Sequence, residues 1–296
     1  MPGSVLIVNP NASRVTPDMT VAVEEELLAA GPLETILTER PMHAVELVEA
    51  HGRDVDRVYV FSGDGGYNEV VNGLDGDVPV GFIPGGSTSV FPRALGLPRD
   101  PVAAARALAR SNTERTITLG RVNGRRFTFS GGLGLDAELV RRVDELGRAS
   151  GERASDLAFA RTLAGIFAER RARFEPVMEV EGLGRVAFVL VANCDPYSYV
   201  GRVPLRIAPR ARFELGLDLV APRDLRARLL PQVARWLLAG KGQDRSAHVL
   251  YAHDVDELVV RADRPVPLQV DGEDLGDVTE ASFEAERSAL RVLVPE

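Results

Sequence analysis

The chain has 296 residues, a length that allows two domains that each bury a hydrophobic core. A hydrophobic fraction of 45% and a formal net charge of -8 describe an ordinary acidic globular protein, which argues against nucleic-acid binding because that requires a basic face. Cys194 stands alone and the four histidines show no metal-ligand spacing, so the sequence predicts no disulfide framework and no metal site built from these residues.

The first part of the chain alternates short apolar runs with helical segments. The pattern predicts strands over 5–8, 33–37, 58–61 and 78–83, and helices over 17–30, 42–50, 69–74 and 101–110. Thr16-Pro17 and Asp100-Pro101 each combine an N-cap residue with a proline in the first turn of a helix. This repetition predicts a doubly wound, mostly parallel sheet whose functional loops lie at the carboxyl ends of the strands.

The pattern of predicted helices and strands changes near residues 112–120. Beyond that point most segments are typical of antiparallel strands with Gly, Asn and Pro turns, interrupted by helices over about 137–148 and 155–171. We therefore predict an α/β domain over 1–115 and a β-rich, antiparallel, sandwich-like domain over 116–296, with a nucleotide cleft between them.

Three polar or glycine-rich turns follow predicted strands in the first domain. They are Asn9-Pro10-Asn11-Ala12-Ser13, Ser62-Gly63-Asp64-Gly65-Gly66, and Gly85-Gly86-Ser87-Thr88-Ser89. Glycines between a strand and a helix let the backbone approach a phosphate, and the amides and dipole at the helix start attract that anion. Each turn alone is also typical of an ordinary strand-to-helix connection. Together, at one edge of a parallel sheet, they favour a phosphate site.

The motifs resemble those of the diacylglycerol kinase catalytic-domain family, which includes bacterial diacylglycerol kinases and sphingosine kinases. The run from Ser62 to Leu74, SGDGGYNEVVNGL, is similar to the family signature GDG-x-x-NE-x-x-NGL. The segments starting at Thr38 (TERPMHAVEL) and Pro84 (PGGSTSVFPRALGLP) resemble further family motifs in the same order, as do Gly134-Leu135-Asp136-Ala137 and Val270-Asp271-Gly272-Glu273.

The resemblance implies an ATP-dependent kinase that phosphorylates a lipid hydroxyl, most simply that of diacylglycerol, with Mg²⁺ accompanying the nucleotide. It implies Glu273 as general base with Asp271 beside it, Asp64 organising Mg²⁺ and phosphates (or serving as a rival base), and Asp136 on the lipid side. The residues that it implies for ATP binding are Asn9, Pro10, Asn11, Ala12, Ser13, Thr38, Gly63, Asp64, Gly65, Gly66, Tyr67, Asn68, Glu69, Gly86, Ser87 and Thr88. Read alone, Asp271-Gly272-Glu273 is typical of a hairpin turn.

Three positions depart from the family pattern. Gly66 stands where the family usually has a threonine, Ser89 where it often has an asparagine, and Leu215 where some members carry an acidic residue of a structural magnesium site. Alternatives that stay open are a kinase for sphingoid long-chain bases, an NAD kinase-like enzyme, and a nucleotide- or lipid-binding relative without catalysis. A Walker A lysine can be set aside, because the only lysine is Lys241 in Gly240-Lys241-Gly242.

The location expected from the sequence is cytoplasmic, with peripheral contact to a membrane surface that holds the lipid substrate. The amino-terminal segment lacks a signal-peptide pattern, and no apolar run approaches the roughly 20 residues that a membrane span needs. A homodimer stays a possibility that the sequence does not address.

Overall fold

The computed structural model describes residues 3–75, 77–150 and 156–296. The chain forms two compact units: unit 1 comprises residues 1–119 and 287–296, and unit 2 comprises residues 120–286. The return of the last ten residues to unit 1 is a feature that the sequence pattern does not anticipate.

Unit 1 is the predicted parallel sheet with helices. Its strands are β1 (Ser4–Val8), β2 (Leu33–Leu37), β3 (Arg57–Ser62) and β4 (Val80–Pro84), ordered β2-β1-β3-β4 with all neighbours parallel. Near the end of the chain, Val292 pairs with Val80 and extends this sheet. The helices are α1 (Pro17–Leu28), α2 (His43–His51), α3 (Asp64–Gly73), α4 (Val90–Ala94) and α5 (Pro101–Arg110). The final segment of unit 1 before the boundary belongs to β5 (Glu114–Val122).

The helix starts of unit 1 follow their predicted caps, with one difference. The Oγ1 of Thr16 accepts a hydrogen bond from the Met19 amide at 3.2 Å, and Asp100 Oδ1 accepts one from the Ala103 amide at 2.9 Å. Helix α3 begins at Asp64 rather than at residue 69, because Gly63 itself is the N-cap residue. The glycine turn is therefore the first turn of the helix, which places its backbone amides at the edge of the sheet.

Unit 2 is antiparallel and rich in β-structure, as predicted. Its main sheet has the order β16-β14-β11-β7-β17-β18 with antiparallel neighbours. The strands are β6 (Arg125–Phe127), β7 (Ser130–Leu133), β8 (Arg173–Phe174), β9 (Met178–Val180), β10 (Gly184–Val186), β11 (Val189–Ala192), β12 (Ser198–Val200), β13 (Val203–Leu205), β14 (Leu217–Pro222), β15 (Leu225–Arg226), β16 (Val249–Val255), β17 (Glu257–Val270) and β18 (Glu273–Leu293). The helices are α6 (Leu135–Ser150), α7 (Asp156–Glu169) and α8 (Leu230–Ala239). The predicted start of α7, Ser155, lies outside the described residues.

A two-residue hairpin turn joins β17 to β18. Val270 pairs with Glu273, so Asp271 and Gly272 are the central residues of the turn, and both have positive φ angles (49° and 83°). Asp-Gly suits this turn because both positions require a left-handed backbone. The hairpin therefore fixes where Asp271 and Glu273 lie within unit 2.

None of the helices in the described part of the chain combines the length and apolar character that crossing a bilayer requires.

Candidate functional site

A pocket of about 170 Å³, lined by both polar and apolar residues, lies in unit 1 at the carboxyl ends of its central strands. Five of the predicted nucleotide-site residues line it: Asn9, Asn11, Thr38, Gly66 and Glu69. The other residues of its wall are Ile7, Arg40, Pro41, Ala44, Val60 and Ser62. The pocket therefore brings together the turn after β1, the end of β2 and the first turn of α3, which is the edge where open α/β sheets bind ligands.

The two glycine turns of unit 1 lie against one another. The Gly85 amide donates to the Ser62 carbonyl at 2.7 Å, and the Arg14 amide donates to the Gly85 carbonyl at 2.9 Å. A Cβ atom at Gly86 would lie 3.0 Å from the Gly63 Cα, so the approach of the two turns leaves little space for a side chain there. The predicted adjacency of these turns is thus present, and the tight contact favours glycine at position 86.

Asp64 connects the glycine turns through its side chain. Its two carboxylate oxygens accept hydrogen bonds from the Val90 and Phe91 amides, at 3.2 and 3.3 Å, at the start of α4. Ser89, in the left-handed conformation, bonds through its hydroxyl to the Gly86 amide and carbonyl, both at 3.1 Å. A carboxylate held by backbone amides is fixed in position, which suits a group that organises cations and phosphates.

Tyr67 is part of the framework of this site, because its side chain lies in the core. It is fully buried, and its hydroxyl lies 2.6 Å from the Ser62 carbonyl and 2.7 Å from the Ile83 carbonyl. Burial, together with the nearby negative charge of Asp64, raises the pKa of this phenol well above its ordinary value. The tyrosine therefore stays a hydrogen-bond donor and ties the ends of β3 and β4 together.

The remaining predicted nucleotide-site residues surround the pocket without lining it. Ala12 and Asn68 are buried, whereas Pro10, Ser13 and Ser87 are exposed at the loop surfaces. Gly63, Gly65, Gly86 and Thr88 belong to the glycine turns described above. The pocket and these turns together make a continuous polar edge of unit 1.

Polar side chains of the pocket are held by local hydrogen bonds. Asn9 Oδ1 accepts from the Asn11 amide at 2.9 Å, which stiffens the turn after β1. Glu69 Oε2 accepts from the Ala44 amide at 3.3 Å and so connects α3 to the start of α2. Thr38 is 7% exposed, and its amide donates to the Val8 carbonyl at 2.8 Å. These groups are pre-positioned, which reduces the entropy lost when a ligand binds.

In unit 2, Asp271 is anchored rather than open. The residue is 4% exposed, and its carboxylate accepts four hydrogen bonds: from the Thr128 amide (2.7 Å), the Thr128 hydroxyl (2.9 Å), the Phe129 amide (2.9 Å) and the Ser130 amide (3.1 Å). Four donors on three successive residues hold both carboxylate oxygens in place. Its geometry therefore suits a positioning residue for the hairpin turn.

Glu273, in contrast, is accessible. Its side chain is 38% exposed, and one oxygen accepts a hydrogen bond from Arg125 at 2.8 Å. It is the first residue of β18, directly after the anchored turn. A partly exposed carboxylate held on one side by an arginine can still accept a proton from a bound group.

Asp136 belongs to a polar network that also supports the turn. Its Oδ2 accepts from the Tyr197 hydroxyl at 2.7 Å and from Gln269 Nε2 at 2.6 Å, while Gln269 Oε1 accepts from the Gly272 amide at 2.9 Å. Desolvation raises the pKa of the Asp136 carboxyl, and the two hydrogen bonds offset part of that effect. Asp136 is therefore linked through Gln269 to the backbone that precedes Glu273.

The residue after Leu215 is bonded to an acidic side chain. The amide of Gly216, which follows Leu215, donates to Asp254 Oδ1 at 2.7 Å. Among the described residues, no cluster of three or more Asp, Glu, His or Cys side chains is arranged to hold a metal ion.

Several residues of these sites were not predicted from the sequence. Ser62 directly precedes the glycine turn, and Arg40 lies in the segment after β2, so local position could have suggested both. Gln269 lies near the end of β17, one residue before Val270 of the Val270-Asp271-Gly272-Glu273 segment, so its local position could also have suggested it. Tyr197 and Arg125 carry no local signal, because they reach their partners only through the tertiary fold.

The chain combines an α/β unit, with a pocket and two glycine turns at one edge of its sheet, and an antiparallel unit rich in β-structure. Residues 4–122 match the model of the diacylglycerol kinase catalytic domain, which confirms the resemblance over this part of the chain.

Curated relatives are similar to parts of the chain in sequence. The chain is 42% identical over 95 residues to a diacylglycerol kinase of Bacillus subtilis, covering 31% of each protein, and 33% identical over 132 residues to a diacylglycerol kinase of Staphylococcus haemolyticus, covering 41% of this chain and 38% of the relative. The alignments thus span about a third of the length of these curated relatives.

Fold similarity extends further than sequence similarity. A crystal structure of a diacylglycerol kinase from Bacillus anthracis superposes with a TM-score of 0.73 at 18% identity, covering 99% of this chain and 97% of that one. An NAD kinase from Archaeoglobus fulgidus in complex with ATP gives a TM-score of 0.50 at 11% identity, covering 99% and 94%. At these identities the likeness describes the fold alone.

Proposed function

We propose that the protein is an ATP-dependent lipid kinase that transfers a phosphoryl group to the hydroxyl of a lipid, with diacylglycerol as the first candidate. The observation that carries the proposal is the pocket at the start of α3, beside two glycine turns that contact each other, within the residues that match the family model. Backbone amides at the start of α3 have no partners within the helix, and they can bind phosphate oxygens.

The residues present fit a nucleotide triphosphate with Mg²⁺. Gly63 and Gly86 approach so closely that a side chain would fill the space, which is the arrangement needed for backbone contact with phosphates. Mg²⁺ in kinase sites is usually held by one or two carboxylates and the substrate phosphates, and Asp64 is the carboxylate of this edge. When bound, Mg²⁺ would neutralise phosphate charge.

The chain's own residues divide the remaining tasks. Asp64 and the glycine turns orient the phosphates, whereas Glu273 accepts the proton of the lipid hydroxyl as that oxygen attacks phosphorus. Asp271 holds the hairpin turn in place, and Arg125 holds the Glu273 side chain. This assignment gives Asp271 a positioning role, since its oxygens already accept four hydrogen bonds.

The decisive test is a transfer assay with γ-labelled ATP. Purified protein is offered diacylglycerol, a sphingoid long-chain base, other lipid alcohols in mixed micelles, and NAD, and labelled products are separated. We expect a labelled lipid that depends on added Mg²⁺ and on the lipid alcohol. Labelled NADP would replace the proposal by an NAD kinase, and no product above background from any acceptor would favour a non-catalytic binding protein.

Peripheral contact with a lipid surface is part of the same proposal, and unit 2 carries a surface that suits it. The hairpin β12–β13 presents Val200 and Val203 as a cross-strand pair, each 49% exposed, with Arg202 in its turn. Helix α8, which packs against β13, exposes 64% of Leu238 and is followed by Lys241. We call these five residues the basic apolar surface.

Charge favours an anionic bilayer as the partner of the basic apolar surface. Residues 198–245 contain ten Arg or Lys and four Asp or Glu, in a chain whose net charge is -8. Basic residues near an anionic membrane contribute about 1 kcal/mol each, and apolar side chains add burial in the interface. The lipid surface therefore has both an electrostatic and an apolar attraction to this part of unit 2.

We expect the Val200→Asp/Val203→Asp variant to lose about tenfold or more in binding to vesicles of phosphatidylglycerol and phosphatidylcholine, because it removes apolar burial and adds two negative charges. Vesicle sedimentation measures this, with pure phosphatidylcholine vesicles and high salt as comparisons. Leu157→Ser on α7, another exposed apolar residue of unit 2, is the matched control. Equal losses in both variants would contradict a specific surface.

A further inference from the structure

Ser62 presents a buried hydroxyl that has no hydrogen-bond partner among the described residues. The residue ends β3 and is 2% exposed. Its backbone carbonyl is fixed by the Tyr67 hydroxyl at 2.6 Å and the Gly85 amide at 2.7 Å, but its Oγ is bonded to neither. Buried hydroxyls are normally paired, because leaving one unpaired loses the hydrogen bonds that it would make to water.

The Ser62 hydroxyl and Gly66 form a matched steric pair. A Cβ atom built at Gly66 would lie 2.1 Å from Ser62 Oγ and 2.8 Å from Ser62 Cβ. No side chain can therefore stand at position 66 while the serine keeps its hydroxyl there. Gly66 in the first turn of α3 has no side chain, and the Ser62 hydroxyl at the end of β3 occupies the space that one would fill.

Both members of this pair line the pocket of unit 1, as do the polar residues Asn9 and Glu69. The hydroxyl stands at the start of α3, where backbone amides without helical partners and the helix dipole favour an anion. A serine hydroxyl can rotate about its Cα–Cβ and C–O bonds, so it can donate a hydrogen bond to a ligand in the pocket. The missing partner is thus best supplied by an oxygen of a bound anion.

We infer that Ser62 is a nucleotide-positioning residue whose hydroxyl donates a hydrogen bond to a phosphate oxygen of the bound nucleotide. The inference rests on the proposed function, since it needs a nucleotide in this pocket. It assigns Gly66 a definite purpose: its lack of a side chain makes room for the Ser62 hydroxyl. Where the family usually has a threonine hydroxyl at position 66, this chain would supply the hydroxyl from Ser62, four residues earlier.

Calorimetric titration of Mg-ATP, ADP and adenosine tests the contact without relying on turnover. Because hydrogen bonds to charged groups are the strong ones, Ser62→Ala should lower the affinity for ATP and ADP about 10-fold to 100-fold and leave adenosine binding unchanged. Ser111→Ala, which changes another buried serine of unit 1, is the matched control and should bind all three ligands like the wild type.

A swap of the two positions tests the steric pairing. Gly66→Thr alone should impair ATP binding because its side chain meets Ser62, whereas Ser62→Gly/Gly66→Thr should return affinity to within about threefold of the wild type, with the hydroxyl now supplied from α3. Circular dichroism and thermal unfolding establish that each variant is folded. If the folded Ser62→Gly/Gly66→Thr variant bound ATP no better than Gly66→Thr, the steric pairing of the two positions would be overturned.

The outcomes separate this inference from the proposed function. A wild-type protein that binds no adenine nucleotide would contradict the proposed function itself. Wild-type binding with an unchanged Ser62→Ala variant would overturn only the role of Ser62. Equal losses for ATP and adenosine would place the contact at the nucleoside and overturn the assignment to phosphate.

Discussion

In the Glu273→Gln variant, we expect turnover of the lipid substrate to fall by about 10²-fold to 10⁴-fold while the affinity for Mg-ATP stays nearly unchanged. The range is that of a general base removed from proton transfer. The amide keeps the size of the side chain and can still accept a hydrogen bond from Arg125, but it cannot take the hydroxyl proton. Steady-state kinetics in mixed micelles, combined with calorimetric titration of Mg-ATP, separates the two effects.

The matched control is Glu280→Gln, on the same strand. Glu280 is also paired with an arginine, Arg261 at 2.9 Å, so the substitution removes the same charge and a similar ion pair. Both pairs are partly exposed, and losing either should change the free energy of unfolding by no more than about 1 kcal/mol. A large loss of turnover in Glu273→Gln alone therefore reports chemistry rather than folding.

The Asp64→Asn variant tests the alternative that Asp64, rather than Glu273, is the general base. Because its carboxylate bonds to the amides at the start of α4 and lies beside the proposed phosphate edge, Asp64→Asn should weaken Mg-ATP binding as well as turnover. If ATP affinity were intact and turnover lost in Asp64→Asn, with only a mild defect in Glu273→Gln, the base would be Asp64.

Local patterns predicted much of unit 1. Thr16-Pro17 and Asp100-Pro101 cap helices as expected, and the buried strands follow from continuous apolar runs. These signals depend on residues a few positions apart, so they can be recognised without knowledge of the tertiary fold. The contact between Ser62 and Gly66 was beyond this reasoning, since two small residues four apart give no sign that one occupies the side-chain space of the other.

Unit 2 was harder to predict, for reasons that particular strands show. The long strand β18 carries many charged residues, and Gly276 and Ser288 have positive φ angles, so its sequence resembles a series of turns. The pairing register of β17 shifts between Arg261 and Val266, so the strand does not show one unbroken alternation of residues. Helix α8 went unpredicted even though Pro231 stands in its first turn and Gly240 ends it.

The roles of the acidic pair were likewise set by contacts that sequence cannot show. Asp271 and Glu273 are two residues apart in one motif, but Asp271 reaches donors at positions 128–130, more than a hundred residues earlier. Only the fold reveals that one carboxylate is anchored and the other accessible. The family resemblance implies a role for both residues without distinguishing what each side chain does.

The second large effect that we expect is a loss of stability in unit 2 when the Asp271 carboxylate is removed. Asp271→Ala would leave three backbone amides and a threonine hydroxyl without their acceptor, and buried donors cost about 1–3 kcal/mol each when unpaired. Allowing for relaxation, we expect the free energy of unfolding to fall by about 3–5 kcal/mol. Trp236, the single tryptophan, is buried in unit 2, so its fluorescence during urea unfolding follows this unit.

Asp271→Asn separates the carboxylate from the turn, because Asn-Gly forms this type of two-residue hairpin at least as well as Asp-Gly. The turn preference is kept, but the side-chain amide brings a donor toward backbone donors, so we expect a loss of about 1–3 kcal/mol. Asp277→Asn is the control on the same hairpin, since that carboxylate is 47% exposed and pairs with Arg141. If Asp271→Asn were as stable as the wild type, the turn sequence alone would hold the hairpin. A less stable Asp271→Asn variant that is still folded but has lower turnover than Asp277→Asn would instead support Asp271 as the residue that positions the base.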